Sequence, residues 1–331
     1  IFIDLRDRYG LTQIVFDPEN DKKVHSKAQN LRREDVIQVK GKVRARGKGL
    51  ENLDLKTGEI EVLIDSLNIL NKSEVPPFEI NDRNLPNEKI RLKYRYIDLR
   101  RPEMQKNILT RHKIVQSTRN FFNNRDFVEV ETPLLAKSTP EGARDYLVPS
   151  RVHLGKFYAL PQSPQLYKQI LMISGFDRYY QIAKCLRDED LRADRQPEFT
   201  QIDVEMSYVE QEDILEMVED LLKKIWKQVL DMDIKTPFPR ITYQEAMAKY
   251  GTDRPDTRFG LELIEVSEDL KGCGFNVFEK ILENGGTVKC IRIQDSEFSR
   301  KDIDEFDDYV KRFDAKGLAW MKVEEGKLSS S

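Results

Sequence analysis

Over residues 198–208, EFTQIDVEMSY, side chains alternate in character without a break. Thr200, Ile202, Val204, Met206 and Tyr208 make one largely apolar set. Phe199, Gln201, Asp203, Glu205 and Ser207 make the other. Such alternation predicts a β-strand, whose pairing register decides which set is buried. Residues 179–189, YYQIAKCLRDE, read as a second strand with Arg187 and Glu189 on one face. Between the two lies DLRADRQP, heavily charged and too long for a tight hairpin turn. A charge run is usually a solvated loop. A strand face that stays polar over successive positions, capped by a charged loop, is a binding floor more readily than a core. The charges of CLRDEDLRADRQPEF are therefore read as arranged around a charged ligand.

The chain has 331 residues, 39% hydrophobic and 34% charged, which is room for two or three domains. It contains no run of about 18 apolar residues, so no membrane-spanning helix is expected. No secretory leader is visible, and a cytoplasmic location is expected. Cys185, Cys273 and Cys290 form no disulfide or metal pattern. His25, His112 and His153 are scattered, which argues against a histidine metal site. A net charge of −3 exerts no global pull on nucleic acid, so any polyanion contact needs a local patch. Both ends read as cut: IFIDLRD is the middle of a strand, and GKLSSS closes no element.

Residues 1–70 read as short strands (IFIDLRD, LTQIVFDP, DVIQVKGKVRAR and EIEVLIDSLNIL) and predict a small β-barrel. Lys40, Lys42, Arg44, Arg46 and Lys48 take every second position, so all five are expected on one side of a strand. They make either a track for a phosphate backbone or the solvated face of a half-buried strand. Residues 71–105, rich in proline, read as a hinge, partly helical in EKIRLKYRYIDLRRPE. A second domain spans 106–257. In RHKIVQSTRNFFNNRDFVEVETPLL, Ile114, Val115, Thr118, Phe121 and Phe122 have helical spacing, and Asn123-Asn124 ends the helix. FVEVET then alternates and stops at Pro133, as ordinary core or as an interface element. In PQSPQLYKQILMISG, Ser163 is placed as N-cap, Pro164 at the first helical position and Gly175 at the stop. Gln165 and Lys168 then share the first turn. A helix covers QEDILEMVEDLLKKIWKQVL, and residues 258–331 read as a separate small α/β unit.

The combination RDEDLRADRQPEFTQIDVE with RNFFNNRDFVEVETPLL resembles the class II aminoacyl-tRNA synthetases, in their bacterial-type aspartate-specific branch. TPEGARDYLVPSR and LPQSPQLYKQ resemble that branch's amino-acid loops. The resemblance implies a multi-domain α+β chain. It comprises an N-terminal OB-fold β-barrel for the anticodon, a partial class II catalytic core on an antiparallel sheet, and the start of an α/β insertion domain. The helix, strand and Pro133 resemble the family's motif 1, implying a homodimer through residues 105–135. Motif 3 has no counterpart before Ser331, which implies a fragment giving little or no adenylate formation alone.

The implied reaction is activation of L-aspartate by ATP with Mg2+, then transfer to tRNA(Asp), with tRNA(Asn) left open as a second acceptor. The implied catalytic pair is Arg187 and Glu189. The implied ATP contacts are Arg187, Asp188, Glu189, Gln196 and Phe199, the last stacking on the base. Aspartate falls to Glu141, Ser163, Gln165, Lys168, Arg187 and Asp203, with Lys168 meeting the side-chain carboxylate and Asp203 orienting it. Phe2, Gln13 and Glu61 match anticodon positions. No magnesium ligand is assigned. On the residues alone, Lys168 would be a surface helical lysine and Phe199 a core aromatic. A second reading is an OB-fold RNA-binding module with a vestigial synthetase half.

Overall fold

The structure is a computed structural model that describes all residues except 82, 83, 140, 191–194, 295, 325, 326 and 331. Part of the charged loop at 190–197 and one residue of TPEGARDYLVPSR thus lie outside the described residues. The chain divides into two compact units, Ile1–Thr236 and Pro237–Ser331.

The first unit opens with β1 (Phe2–Arg6), β2 (Leu11–Val15), α1 (Lys22–Ala28), β3 (Val36–Ala45) and β4 (Ile60–Asn71). Its four strands lie in the order β1-β2-β4-β3, with β2 and β4 parallel and the other neighbours antiparallel. Ile14, Phe16, Ala28, Ile64 and Leu67 form the core, with Ile3, Leu5 and Val39 against it. Helix α1, not foreseen from the sequence, starts at Asp21, whose carboxylate accepts from the amides of Lys23 and Val24. Those two bonds hold the carboxyl below the usual aspartate range.

The β3–β4 pairing slips by one residue after Lys40, since Lys40 faces Ser66 but Gly41 faces Ile64. This is a β-bulge on β4. A Cβ on residue 41 would sit 2.2 Å from the Leu63 carbonyl oxygen, so only glycine fits. The five-cation expectation fails here. Strand β3 ends at Ala45, where the chain turns through Gly47 and Gly49, so Arg46 and Lys48 are not strand residues. Arg46 Nε donates to the Ile60 carbonyl, and Arg44 pairs with Glu61 across the ladder at 2.8 Å. Only Lys40, Lys42 and Arg44 share a strand face, and the last is neutralised.

Helices α2 (Glu88–Lys93) and α3 (Arg95–Asp98) occupy the expected hinge. Asp98 is fully buried and meets Arg95, Arg91 and the equally buried Arg101. Glu34 accepts from Arg6 of β1 at 3.1 Å and pairs with Arg100 at 2.7 Å, tying the small sheet to the segment before the next helix. Glu34 does so from a left-handed backbone, φ 66°.

There follow α4 (Pro102–Asn123), β5 (Val128–Glu129), the β6 (Leu147–Pro149) and β7 (Phe157–Ala159) hairpin, α5 (Gln165–Ile173), β8 (Arg178–Leu186), β9 (Glu198–Met206) and α6 (Gln211–Leu230). Pro102 sits at the start of α4 and Asn124 caps its end, as the residue types favour. Strands β5, β8 and β9 form a sheet in that order, β5–β8 parallel and β8–β9 antiparallel. Phe121, Phe122 and Phe127 from α4 and its end join Tyr180, Met217, Leu221 and Ile225 in one core, with Val204 and Met206 packed on it. Tyr180 stacks on Phe122 at 4.8 Å. Ser163 does not cap α5: Pro164 takes the cap position without a side-chain bond, and the Ser163 hydroxyl donates to Glu141 instead. Gly175, at φ 89°, does follow the helix end.

The second unit contains α7 (Tyr243–Tyr250), β10 (Leu263–Glu265), α8 (Asn276–Glu283), β11 (Lys289–Ile291), α9 (Arg300–Lys311), β12 (Met321–Glu324) and β13 (Lys327–Ser330). Its strands form two antiparallel pairs, β10–β11 and β12–β13. Among the described residues no helix is long and apolar enough to cross a membrane.

The substitution Gly41→Ala is expected to lower stability by about 2 kcal/mol or more, as overpacking against fixed backbone does. A urea unfolding midpoint equal to that of the parent chain would refute the bulge constraint.

Candidate active site

The β8–β9 register decides which side chains meet. Phe199 lies opposite Cys185, Gln201 opposite Ala183, Asp203 opposite Gln181, and Glu205 opposite Tyr179. These eight share one face. Thr200, Ile202, Val204 and Met206 share the other with Tyr180 and Ile182, and the packed members of that face meet α4 and α6. The polar set therefore turns away from the helix-backed core, as the alternation predicts.

Strand β8 stops at Leu186, but the Arg187 amide still donates to the Pro197 carbonyl at 2.9 Å. This carries Arg187 alongside Phe199, its Cζ 5.1 Å from the ring centroid. Arg187 Nε is buried and has no hydrogen-bond partner. Arg187, Glu189, Gln196, Pro197 and Phe199 border an open cleft of about 380 Å³. A second cleft of about 380 Å³ is bordered by Gly142, Ala143, Arg144, Asp188, Glu189 and Arg195. Asp188 donates its amide to the Arg144 carbonyl at 3.0 Å. Glu189 pairs with Arg195 at 3.7 Å, so the expected sharing of a strand face by Arg187 and Glu189 gives way to presentation from the loop.

Lys168 is buried on the first turns of α5. Its Nζ lies 2.8 Å from Asp203 Oδ1 and 3.3 Å from Glu205 Oε2. Burial is the largest influence on the ammonium and opposes its charge. The two carboxylates overcome it and hold the pKa above the ordinary lysine value. Asp203 Oδ2 is buried without a partner. The Tyr179 hydroxyl is raised first by burial and then by the Asp203 charge. It donates to Gln181 Oε1 at 2.8 Å, which also accepts from Thr132. Cys185 donates to Gln201 Oε1, and burial pushes its thiol up to about 11, so it stays protonated near neutrality.

Glu141 accepts from Ser163 Oγ at 2.7 Å and Thr139 Oγ1 at 3.0 Å. Gln165 opens α5, half-buried. The structure thus brings Lys168 to Asp203, Ser163 to Glu141, and Arg187 to Phe199. Phe2, Gln13 and Glu61 sit apart from these, on the four-stranded sheet. Phe2 pairs with Val15, Val15 with Leu63, and Gln13 and Glu61 lie two positions back, so all three share a face. Phe2 is 68% exposed, whereas Glu61, its side chain 12% exposed, is held by Arg44.

Glu205, Gln181, Tyr179, Gln162 and Asp145 were not singled out from the sequence. Parity along each strand from Asp203 and Arg187 reaches Glu205, Gln181 and Tyr179. For Gln162 and Asp145 there was no such signal. Among the described residues no group of three or more histidine, cysteine or carboxylate side chains is placed to hold a metal ion by itself.

A small β-sheet domain precedes a mixed sheet, its β8–β9 pair antiparallel and its β5–β8 pair parallel, that is backed by helices and bears a polar, ion-paired face. Residues 87–317 match the family described as tRNA synthetases class II (D, K and N), and the chain belongs to that family. Residues 1–70 match the OB-fold nucleic acid binding domain. Within the family the chain is similar to aspartate-specific members. It is 57% identical over 331 residues to the aspartate–tRNA(Asp/Asn) ligase of Caldanaerobacter subterraneus subsp. tengcongensis, covering 100% of this chain and 56% of that protein. It is 57% identical over 330 residues to the aspartate–tRNA ligase of Oceanobacillus iheyensis, covering 99% and 56%. The crystal structure of asparaginyl-tRNA synthetase from Pyrococcus horikoshii shares the fold, with a TM-score of 0.64 at 20% identity over 98% of this chain and 70% of that one. The chain spans about half the length of the curated relatives it matches.

A group whose pKa is raised on folding contributes stability that is complete below its unfolded pKa, about 10.4 for lysine and 10 for tyrosine. It loses that contribution as pH rises through the folded value. Lys168 and Tyr179 are both raised, so urea stability is expected to fall as pH climbs above about 10. Lys168→Met strands Asp203 and Glu205 and is expected to cost about 3 kcal/mol at neutral pH while flattening part of the alkaline loss. An unchanged alkaline slope in the variant would refute this account of the pair.

Proposed function

We propose that the chain carries part of an aspartate–tRNA ligase, which joins L-aspartate to ATP as aspartyl-adenylate and passes it to the 3′ end of tRNA(Asp). The observation that carries the reading is one sheet face holding an arginine over an aromatic ring together with a buried lysine between two carboxylates. An aspartate oxygen attacks the α-phosphorus of ATP and pyrophosphate leaves. Such a step needs charge neutralisation and in-line placement rather than a protein base.

In this reading Arg187 spans the α-phosphate and the attacking carboxylate, a fit for its planar fork. Its buried, unpartnered Nε is a donor without an acceptor until an anion arrives. Phe199 stacks on adenine, and Asp188, Glu189 and Gln196 line the nucleotide. Lys168 reads the side-chain carboxylate, Asp203 orients Lys168, and Glu141, Ser163 and Gln165 hold the ammonium end. Asparagine would leave Lys168 facing a neutral amide in a desolvated site, which is the basis for its rejection. Magnesium would enter with the ATP phosphates, and the family's use of ATP supports its presence there.

In the whole protein, aspartate-dependent ATP–pyrophosphate exchange is expected, falling about a hundredfold in kcat/KM with Lys168→Met, as when a charged hydrogen bond is lost. Exchange driven by lysine or asparagine instead would overturn the assignment. Phe2, Gln13 and Glu61 read the anticodon of tRNA(Asp). The Asp/Asn names of relatives extend the proposal to tRNA(Asn). Phe2→Ala should weaken filter binding of an anticodon stem-loop by about 1–3 kcal/mol, and equal binding would remove Phe2 from that role. Exposed Ile108, Leu109, Val128, Leu134 and Leu135 support a homodimer through residues 105–135. Sedimentation of the whole protein as a monomer at micromolar concentration would exclude it.

A further inference from the structure

Gln162 belongs to none of the roles above, yet it is among the most buried polar residues, 2% exposed. Both polar atoms of its side-chain amide are engaged. Oε1 accepts from the Ala143 amide at 3.0 Å, and Nε2 donates to the Ala143 carbonyl at 2.9 Å. A side chain thus makes with Ala143 the two-way pairing that a neighbouring strand would make. Nε2 also donates to Asp145 Oδ1 at 2.6 Å, while Asp145 Oδ2 accepts from Ser138 at 2.6 Å.

The backbone beneath Gln162 is itself anchored. The Leu186 amide donates to the Pro161 carbonyl at 3.0 Å, and the Leu160 amide to Tyr146 at 2.9 Å. Residues 141–146 are therefore joined to the end of β8 through Pro161 and Gln162, and again through Arg144 and Asp188. Glu141 and Arg144 flank the clasped Ala143. One reaches Ser163 and the other borders the second cleft.

We propose that Gln162 is a positioning residue whose buried amide fixes residues 141–146 against the end of the β8–β9 hairpin and so sets the aspartate subsite. It borders neither cleft and touches no proposed ligand group, acting only through Ala143 and Asp145. The inference rests on the ligase reading. Neutrality matters as much as size: a carboxylate at position 162 would direct oxygen at both the Ala143 carbonyl and Asp145.

The test is Gln162→Glu in the whole protein, a change of nearly equal volume. The aspartate KM is expected to rise about tenfold or more, the effect of opposing buried acceptors, with kcat and the ATP KM within about threefold. Hydrogen exchange at the amides of residues 143–145 should speed up about tenfold or more, with β8 and β9 amides unchanged. Adding Asp145→Asn supplies a donor toward the introduced carboxylate and keeps an acceptor for Ser138, so it should recover much of the lost aspartate affinity. Unchanged exchange at 143–145 overturns the clasp. Loosened amides with an unchanged aspartate KM overturn its link to the subsite. Protection lost across β8 and β9 makes Gln162 a general packing residue and also overturns the proposal. If the unmodified protein shows no aspartate-dependent pyrophosphate exchange, the ligase reading fails, and the amide data still decide the clasp.

Discussion

The antiparallel register of β8 against β9 is the constraint on which the site depends. With Phe199 opposite Cys185, every second residue of both strands faces the same way. A slip of one residue would drive Asp203 and Glu205 toward the aromatic core and expose Val204 and Met206. Tyr180 guards against this from the packed side, stacking on Phe122 while its hydroxyl reaches Asn123 and Glu129. Burial, with help from Glu129, pushes that hydroxyl up to about 12, so it remains a donor across the physiological range. Packing of one face thus settles the chemistry of the other.

The polar face is electrostatically unfinished. Lys168 has two carboxylate neighbours, yet Asp203 retains a buried oxygen with no donor and Arg187 a buried nitrogen with no acceptor. Buried polar atoms are satisfied in most proteins, and leaving one unmatched costs about 1–3 kcal/mol. Sites that bind charged ligands are where such departures are tolerated, because the ligand completes them. In the hinge, Asp98 and Arg101 are as deeply buried and ion-pair with each other at 3.1 Å, with Arg95 also on Asp98, an arrangement suited to holding segments together.

Much of the fold could be read from the residue pattern. The four strands of the small sheet, helix α4 with its Asn124 cap, α6, and the β8–β9 pair all follow periodicity that local burial enforces. Short-range and tertiary exceptions could not be read. Ser163 has the chemistry of an N-cap but is taken by Glu141, 22 residues away in sequence. The alternating cations end early because Gly47 and Gly49 turn the chain, and Arg44 finds Glu61 across a ladder whose register contains a bulge. The small-sheet residues Phe2, Gln13 and Glu61 share a face only because two different pairings, β1–β2 and β2–β4, happen to be in phase.

By itself, the sequence determined which residues alternate, where α4 ends, the span of α6, and which motifs place the chain among the class II synthetases. These are properties of neighbours along the chain, where covalent geometry imposes periods of 2 and 3.6. Only the tertiary structure decided that Lys168 lies between Asp203 and Glu205, that Arg187 rests over Phe199, and that Gln162 clasps Ala143. Those contacts join residues many positions apart. They exist because close packing of the apolar face leaves the opposite side chains a single set of partners within hydrogen-bond reach.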